Sequence, residues 1–427
     1  MKKTIDIINE ISDGTLDDNL KYLYICDDCT EQRERYLSLI KGYETTFGKA
    51  DELALFSAPG RTEIGGNHTD HQHGCVIAGS VNLDIIAAVS FNDENIVRIK
   101  SKGYPMDEVS LDNLEINPSE YEKSISLIRG VLNRFRELGY EIKGFNAYTE
   151  SNVMKGSGLS SSAAFEVLIG TIANNLFANC EVNPVEIAKI GQYAENKYNN
   201  KPSGLLDQMA SSVGAVISID FKDNSAPIVT KVDFNLSEFK HSLCIIDSGA
   251  DHADLTDEYS AVTREMKMVS NYFGKEYLRE VDKTEFMANL KGLRDAVKND
   301  RAILRAIHYF NDSERAILEA EAIKNGDFDE FCRLSRESGR SSYMYLQNVY
   351  ASSIPHSQAV SLTLALCDEL LGDKGAYRVH GGGFAGTVQA FVPDEMVSDF
   401  KKKIEEVLGE GMCHILSIRP VGGFRLA

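Results

Sequence analysis

Three glycine-rich turns, each set between apolar runs, restrict what this chain can fold into. The first, Ala58 to Gly74, follows the apolar run Leu53–Phe56 and precedes another, Val76–Val89. The second, Lys155-Gly156-Ser157-Gly158-Leu159-Ser160-Ser161-Ser162, lies between a strand-like segment and a helical one. The third, Gly375 to Thr387, carries His380-Gly381-Gly382-Gly383 between two strand-like runs. Turns of this kind bring bare backbone N–H groups to a ligand, and one at a helix start adds the positive end of the helix dipole. Such turns are expected in a protein that binds small anionic or hydroxylated molecules.

Around these turns the periodicity alternates between 2 and 3.6 residues. Period-3.6 spacing predicts helices over 31–47, 124–138, 161–178 and 184–198, the last opened by Asn183-Pro184 as N-cap and first-turn proline. Strands are expected at 53–56, 85–91, 97–99, 145–148, 214–221 and 242–247. The second half reads as helices at about 254–272, 300–324, 328–347, 356–371 and 394–408, with strands at 377–380, 387–392 and 414–418. Residues 1 to 30 give no assignable role. The polar stretch 221–240 is the expected boundary between two lobes, so the fold class is α+β with domains at 1–230 and 231–427.

Charge and cysteine usage narrow the function classes. The 427 residues carry a net charge of −19, which argues against nucleic-acid or anionic-membrane partners. Eight scattered cysteines are too sparse for a disulfide scaffold in a chain this long. Cys26 and Cys29 have no second pair nearby to complete a zinc site. The N-terminal residues turn acidic before an apolar leader forms, and no apolar run is long enough to span a membrane. A cytoplasmic, monomeric enzyme is the expectation.

The first turn concentrates Arg61, Glu63, Asn67, His68, Asp70, His71 and His73 on glycine-rich backbone. It reads as a ligand loop. The alternatives are a solvated surface turn or a metal site built from His68, Asp70, His71 and His73. The second turn is a phosphate cradle by its chemistry, although no Gly-Lys-Ser/Thr closes it as in a Walker loop. Glu195 and Asp207 flank Lys201-Pro202-Ser203-Gly204, and two such carboxylates can divide metal binding from proton acceptance. The third turn resembles a lipase oxyanion loop, but no Gly-x-Ser-x-Gly follows it, which excludes an α/β-hydrolase.

Taken in order, these motifs resemble the GHMP kinases, most closely the galactokinase branch. The first turn is similar to Gly-Arg-Val-Asn-Leu-Ile-Gly-Glu-His-Thr-Asp-Tyr-Asn, the second to Gly-Leu-Ser-Ser-Ser-Ala, and Ala194–Gln208 to Ala-Glu-His…Pro-Cys-Gly-Ile-Met-Asp-Gln. Asp257-Glu258-Tyr259 resembles Ser-Glu-Tyr. The resemblance implies a ribosomal S5-like N-terminal domain, a ferredoxin-like C-terminal domain, and transfer of the ATP γ-phosphoryl group to a sugar's anomeric hydroxyl. It implies Asp207 as base with Arg61 beside it. The nucleotide would lie on Gly156, Ser157, Gly158, Leu159, Ser160, Ser161 and Ser162, supported by Gly381, Gly382 and Gly383. Mg²⁺ would sit on Ser162 and Glu195, and the sugar on Asn67, His68, Asp70, Gly204 and Tyr259.

Departures from the pattern bear on the sugar. Asn67 replaces the signature's glutamate, His71-Gln72 replace Tyr-Asn, Val262-Thr263 stand where two arginines are usual, Met154 replaces a proline, and Phe384-Ala385 replace Trp/Phe-Gly. A glutamate facing a C6 carboxylate at about 4 Å would repel it by roughly 4 kcal/mol at an effective dielectric near 20. Galactose is the substrate the resemblance implies; Asn67 removes that barrier, so galacturonate and L-arabinose stand as alternatives. A sugar-sensing protein without catalysis is a further alternative, and the retention of Arg61, Ser160–Ser162, Glu195 and Asp207 argues against it.

Overall fold

The computed structural model describes residues 1–154, 158–250 and 255–427. Thirteen strands form two sheets among the described residues. The larger contains β1 (Lys2–Lys3), β2 (Glu52–Gly65), β3 (Cys75–Phe91), β4 (Ile96–Ser101), β5 (Met106–Ser110), β6 (Phe145–Ser151), β7 (Val216–Asp220), β8 (Ile228–Val232) and the late-arriving β13 (Phe424–Arg425). The smaller, ordered β10-β11-β9-β12, is built from β9 (His241–Asp247), β10 (Ala376–Val379), β11 (Thr387–Pro393) and β12 (Cys413–Leu416), all antiparallel. In the larger sheet the pairing is antiparallel except for β4 with β6.

Strand alternation divides the larger sheet's apolar residues between two cores. Ala54, Phe56 and Ala58 of β2, with Ile85, Ala87 and Val89 of β3, face the helices Ser124–Glu137, Ser161–Phe177 and Pro184–Tyr193. Leu53, Leu55, Ile86 and Ala88 face the opposite way, against Tyr36, Leu39, Ile40 and Tyr43 of the helix Thr30–Phe47. Residues 1–30 complete that second core. They form helices at Thr4–Ser12 and Asp17–Tyr24, and Ile7, Ile11, Leu20 and Leu23 are fully or almost fully buried against it. Beneath them Asp84, with no exposed surface, accepts hydrogen bonds from Tyr24 Oη at 2.6 Å, Arg35 Nη1 at 2.6 Å and Arg419 Nη1 at 3.2 Å. One carboxylate thus joins the N-terminal helices, the sheet and the C-terminal tail.

Two expectations from the sequence change. The first turn is much shorter than Ala58–Gly74, because β2 continues to Gly65 in register with β3. Its polar residues hid the strand. Register shifts between Pro59 and Arg61 and between Glu63 and Gly65 carry the chain through them, as bulges near functional sites do. The stretch 221–240 also contains more than a linker: β8 pairs with β7 and belongs to the larger sheet. The tail crosses back as well, since β13 pairs with β2.

Candidate active site

The site forms where the ends of β2, the serine turn and the helix Leu206–Val213 converge. Arg61 lies on β2 with 6% of its surface exposed. Its Nε donates to Asp207 Oδ1 at 2.6 Å, its Nη1 donates to the carbonyl of Gly158, and its backbone N–H donates to the Leu159 carbonyl at 3.0 Å. A Cβ at Gly60 would approach the Leu159 carbonyl to 2.9 Å, so bare backbone is what lets the strand and the serine turn lie this close. One guanidinium therefore fixes both the acid and the turn.

Asp207 is in the first turn of its helix, and its side chain is 37% exposed. Ser160 Oγ donates to its second oxygen. Ser160 has φ of +55°, and its hydroxyl caps no N–H of the helix Ser161–Phe177 that follows. That strained backbone aims the hydroxyl at Asp207. Burial works against ionisation of Asp207, but Arg61, its hydrogen bond and that of Ser160 outweigh it and hold the carboxyl below the usual range. Asp207 is accordingly an anion that keeps an exposed edge.

Behind it sit two more acids. Glu195 occupies the π-helical turn Ala194–Tyr198 that extends the Pro184–Tyr193 helix, a local widening common at functional sites. Gln208 Nε2 donates to Glu195 Oε2 at 2.8 Å and to Glu166 Oε2 at 2.9 Å, bridging the two carboxyls. Burial, with Glu195 adjacent, holds the Glu166 carboxyl well above its usual range, and its buried Oε1 has no hydrogen-bond partner among the described residues. Lys201 Nζ lies 2.6 Å from Glu195 Oε1. Among the described residues no three His, Cys, Asp or Glu side chains cluster to hold a metal on their own. The donor set still fits Mg²⁺. That ion needs one or two carboxylates and takes its remaining ligands from phosphate and water, and Glu195 already carries a cation in the form of the Lys201 ammonium.

The residues expected to meet the sugar gather at the junction with the smaller sheet. Asn67 Nδ2 donates to the Gly381 carbonyl at 2.8 Å, His68 Nε2 to the Gly382 carbonyl at 2.9 Å, and Tyr259 Oη to the Gly383 carbonyl at 2.8 Å. Three successive carbonyls of the third glycine turn are thus bound by three of the five residues. Burial, reinforced by His71, pushes the His68 imidazole down to about 4, so it is neutral and carries its proton on Nε2. Asp70 and Gly204 also touch, and a Cβ on Gly204 would fall on the Asp70 carboxylate. Of the residues expected to meet the nucleotide, Gly158, Leu159 and Ser160 lie beside Arg61 and Asp207, Ser161 and Ser162 open the helix that follows, and Gly156 and Ser157 lie outside the described residues. Tyr259 opens the helix Thr256–Tyr272.

Asn67 is placed unlike the others. It has no exposed surface, and both of its amide groups are saturated. Nδ2 also donates to Glu63 Oε1 at 2.9 Å, while Oδ1 accepts from Asn348 Nδ2 at 2.8 Å and Ser342 Oγ at 3.2 Å. Its backbone is held too, by Asp312 Oδ2 and His308 Nε2. Glu63 in turn accepts from Arg378 Nη2 at 2.8 Å. The family signature has Asn where this chain has Glu63 and Glu where it has Asn67. The acid and the amide have exchanged places across an i, i+4 pair, and the acid now faces Arg378.

His380, quoted in the third motif but given no role by the sequence, is a second such brace. Its Nε2 accepts from the Glu63 N–H at 3.2 Å, so the proton sits on Nδ1, 2.9 Å from Thr387 Oγ1. An imidazole buried between β2 and β11 has no sequence signal apart from its glycine neighbours.

Comparison with known proteins gives this geometry a family. Residues 126–215 match the GHMP kinases N terminal domain, and residues 41–91 match the galactokinase galactose-binding signature. A galactokinase of Glaesserella parasuis serovar 5 (strain SH0165) is 30% identical over 368 residues, covering 85% of this chain and 91% of the relative. One from Actinobacillus pleuropneumoniae is 31% identical over 359 residues, covering 82% and 88%. Among solved structures, Lactococcus lactis galactokinase complexed with galactose matches with a TM-score of 0.78 at 25% identity, over 91% of this chain and 99% of that one. Methanococcus jannaschii mevalonate kinase shares the fold at a TM-score of 0.61 and 14% identity, over 87% and 99%. With this identity across most of both chains, the protein belongs to the galactokinase family of the GHMP kinases.

Proposed function

We propose that this protein transfers the γ-phosphoryl group of ATP to the anomeric hydroxyl of galactose, giving galactose 1-phosphate. The observation that carries the reading is the Arg61–Asp207–Ser160 constellation beside the serine turn. Phosphoryl transfer asks for positioning and charge stabilisation more than covalent chemistry. Asp207, ionised and partly open, accepts the hydrogen bond of the attacking hydroxyl and takes its proton as the new P–O bond forms and the bond from the γ-phosphorus to the bridging oxygen breaks, that oxygen leaving with ADP. Arg61 keeps Asp207 charged and lies beside the turn that receives the phosphates. Glu195 and Ser162 would hold Mg²⁺, which would supply positive charge against the phosphates when bound. His68, Asp70, Gly204 and Tyr259 orient the sugar at the junction. We assign residues 1–230 and 231–427 to the two domains, with the tail crossing back to the first, and the working unit to a monomer.

Residue 67 bears on which sugar is preferred. Its saturated amide favours a bracing role over contact with the sugar's C6 group, and galacturonate and L-arabinose therefore belong in the test. ADP release is to be measured with Mg-ATP and galactose, galacturonate or L-arabinose. Galactose is expected to give the highest kcat/KM. ADP release with none of the three would overturn the kinase assignment, and a preference for galacturonate would overturn the sugar.

A further inference from the structure

Lys201 is an ammonium in a place that calls for a metal. Glu195 has 3% of its side chain exposed, and its two oxygens are taken by Gln208 Nε2 and by Lys201 Nζ at 2.6 Å. The Lys201 side chain is itself 58% exposed, so the ammonium on this buried carboxylate belongs to a largely solvent-facing side chain. Asp207 adds to the negative field around it.

The loop that carries it is fixed without its side chain. The Lys201 N–H donates to the Glu195 carbonyl at 3.1 Å, Ser203 N–H to Asn196 Oδ1 at 2.7 Å, and Gln192 Nε2 to the Ser203 carbonyl at 3.1 Å. The ammonium is therefore free to leave Glu195 while the backbone stays in place. A carboxylate as buried as Glu195 is costly to leave without a counter-charge. Lysine fits this duty better than arginine, because a single point charge on a flexible stem lets go more readily than a bidentate fork.

We propose that Lys201 is a resident counter-ion of Glu195. It occupies the divalent-cation position in the nucleotide-free protein and swings toward the cleft when the metal–nucleotide complex arrives. The inference rests on the assignment of Glu195 as a metal ligand in a kinase, and its consequence is specific to this chain: without nucleotide, the site is closed to metal by the protein's own charge. The ordering follows from competition between two cations for one buried carboxylate.

The test uses full-length protein stripped with EDTA, without ATP or sugar, and Mn²⁺ as the probe. Bound and free Mn²⁺ are separated by electron paramagnetic resonance, and Tm is followed in parallel. Lys201→Met is expected to gain a Mn²⁺ site with a Kd at least about tenfold below that of the wild type, since one competing charge is gone. Its Tm in EDTA is expected to fall and to recover with Mn²⁺. Lys201→Arg keeps the countercharge and is expected to resist Mn²⁺ as the wild type does, and Lys201→Met/Glu195→Gln is expected to lose the gained site. Equal Mn²⁺ binding by wild type and Lys201→Met would overturn the proposal, as would a gained site that survives Glu195→Gln. If Lys201→Met precipitates, Lys201→Gln is judged by the same outcomes. Because neither substrate is present, failure here leaves the ADP-release result standing, and the reverse also holds.

Discussion

Restoring the family's glutamate at position 67 is expected to break the protein before it changes the sugar. In the wild type, Asn67 Nδ2 donates to Glu63 Oε1 at 2.9 Å, and both groups are buried. Asn67→Glu places a second carboxylate against the first. At about 3 Å and an effective dielectric near 20 the repulsion is roughly 5 kcal/mol, which protonation of one acid relieves. Protonating a carboxyl of ordinary pKa at pH 7 costs about 4 kcal/mol, so that sets the ceiling. The Gly381 carbonyl is also deprived of a donor unless the new proton reaches it. Denaturant unfolding at pH 7.0 is therefore expected to show a loss of about 4 kcal/mol, easing by roughly 2 kcal/mol at pH 5.5 because less work is needed to protonate the pair. Glu63→Asn combined with Asn67→Glu reinstates one acid and one amide, and is expected to recover most of the loss as coupling between the two positions. A single Asn67→Glu variant as stable as the wild type at pH 7.0 would refute the bracing role, as would a double variant no better than the single. The sugar panel is then to be run on the double variant, since only there is residue 67 tested for what it reads rather than for what it holds.

Four further outcomes follow, three from other parts of the site and one from a buried acid. Asp207→Asn is expected to lower kcat by about 10²–10⁴-fold with sugar binding retained by calorimetry, and unchanged turnover would remove Asp207 from the chemistry. Arg61→Met removes the charge that holds Asp207 below its usual range, so the acidic limb of the kcat/KM profile should move to higher pH; a limb that stays in place would mean that another group titrates there. Gly204→Ala pushes a methyl onto Asp70 and should raise the galactose KM more than the ATP KM, which steady-state kinetics with each substrate varied will show. Glu319 lies fully buried, neither carboxyl oxygen is hydrogen-bonded among the described residues, and burial lifts it to about 8. The folded state holds this proton more tightly than the unfolded chain, so the contribution is full below about pH 4.5 and is lost as pH rises toward 8. Glu319→Gln should flatten that fall in Tm by the equivalent of a few kcal/mol, and parallel wild-type and variant curves from pH 5 to 8 would contradict it.

Much of the fold was legible because periodicity reports burial. The helices at 161–177 and 300–324 and the strand at 241–247 lie within a residue or two of where apolar spacing puts them. The misses have physical causes. Residues 1–30 looked unassignable because their two helices are only 9 and 8 residues long, and each offers one narrow apolar stripe in an acidic stretch. Short helices of that kind are marginal alone and are stabilised by packing that sequence does not display. The helices Lys283–Ala288 and Leu290–Val297 escaped for the same reason. β8 was hidden because its burial alternates weakly, with Ile228 and Lys231 exposed at an edge.

The site divides differently, into residues that are functional by type and residues that are functional by position. The serine turn was recognisable from its glycines and hydroxyls, and Arg61 and Asp207 from their places in motifs that resemble the family's; the fold brings the three together. Asn67 has the same kind of motif support, yet its four side-chain hydrogen bonds end on Glu63, Ser342, Asn348 and Gly381, three of which are distant in sequence. Nothing local announces such partners. The exchange of acid and amide between positions 63 and 67 shows why a motif letter is an incomplete guide. The pair keeps its composition, but Arg378, 315 residues from Glu63, determines which member bears the charge. A substitution that looks like a change of substrate reading from the sequence is, in the folded chain, half of a compensated pair. The side chain to suspect of adjusting the chemistry is then one that the motif letters leave without a role but the fold seats on a site acid, and Lys201, unremarkable in sequence and paired with Glu195, is that side chain.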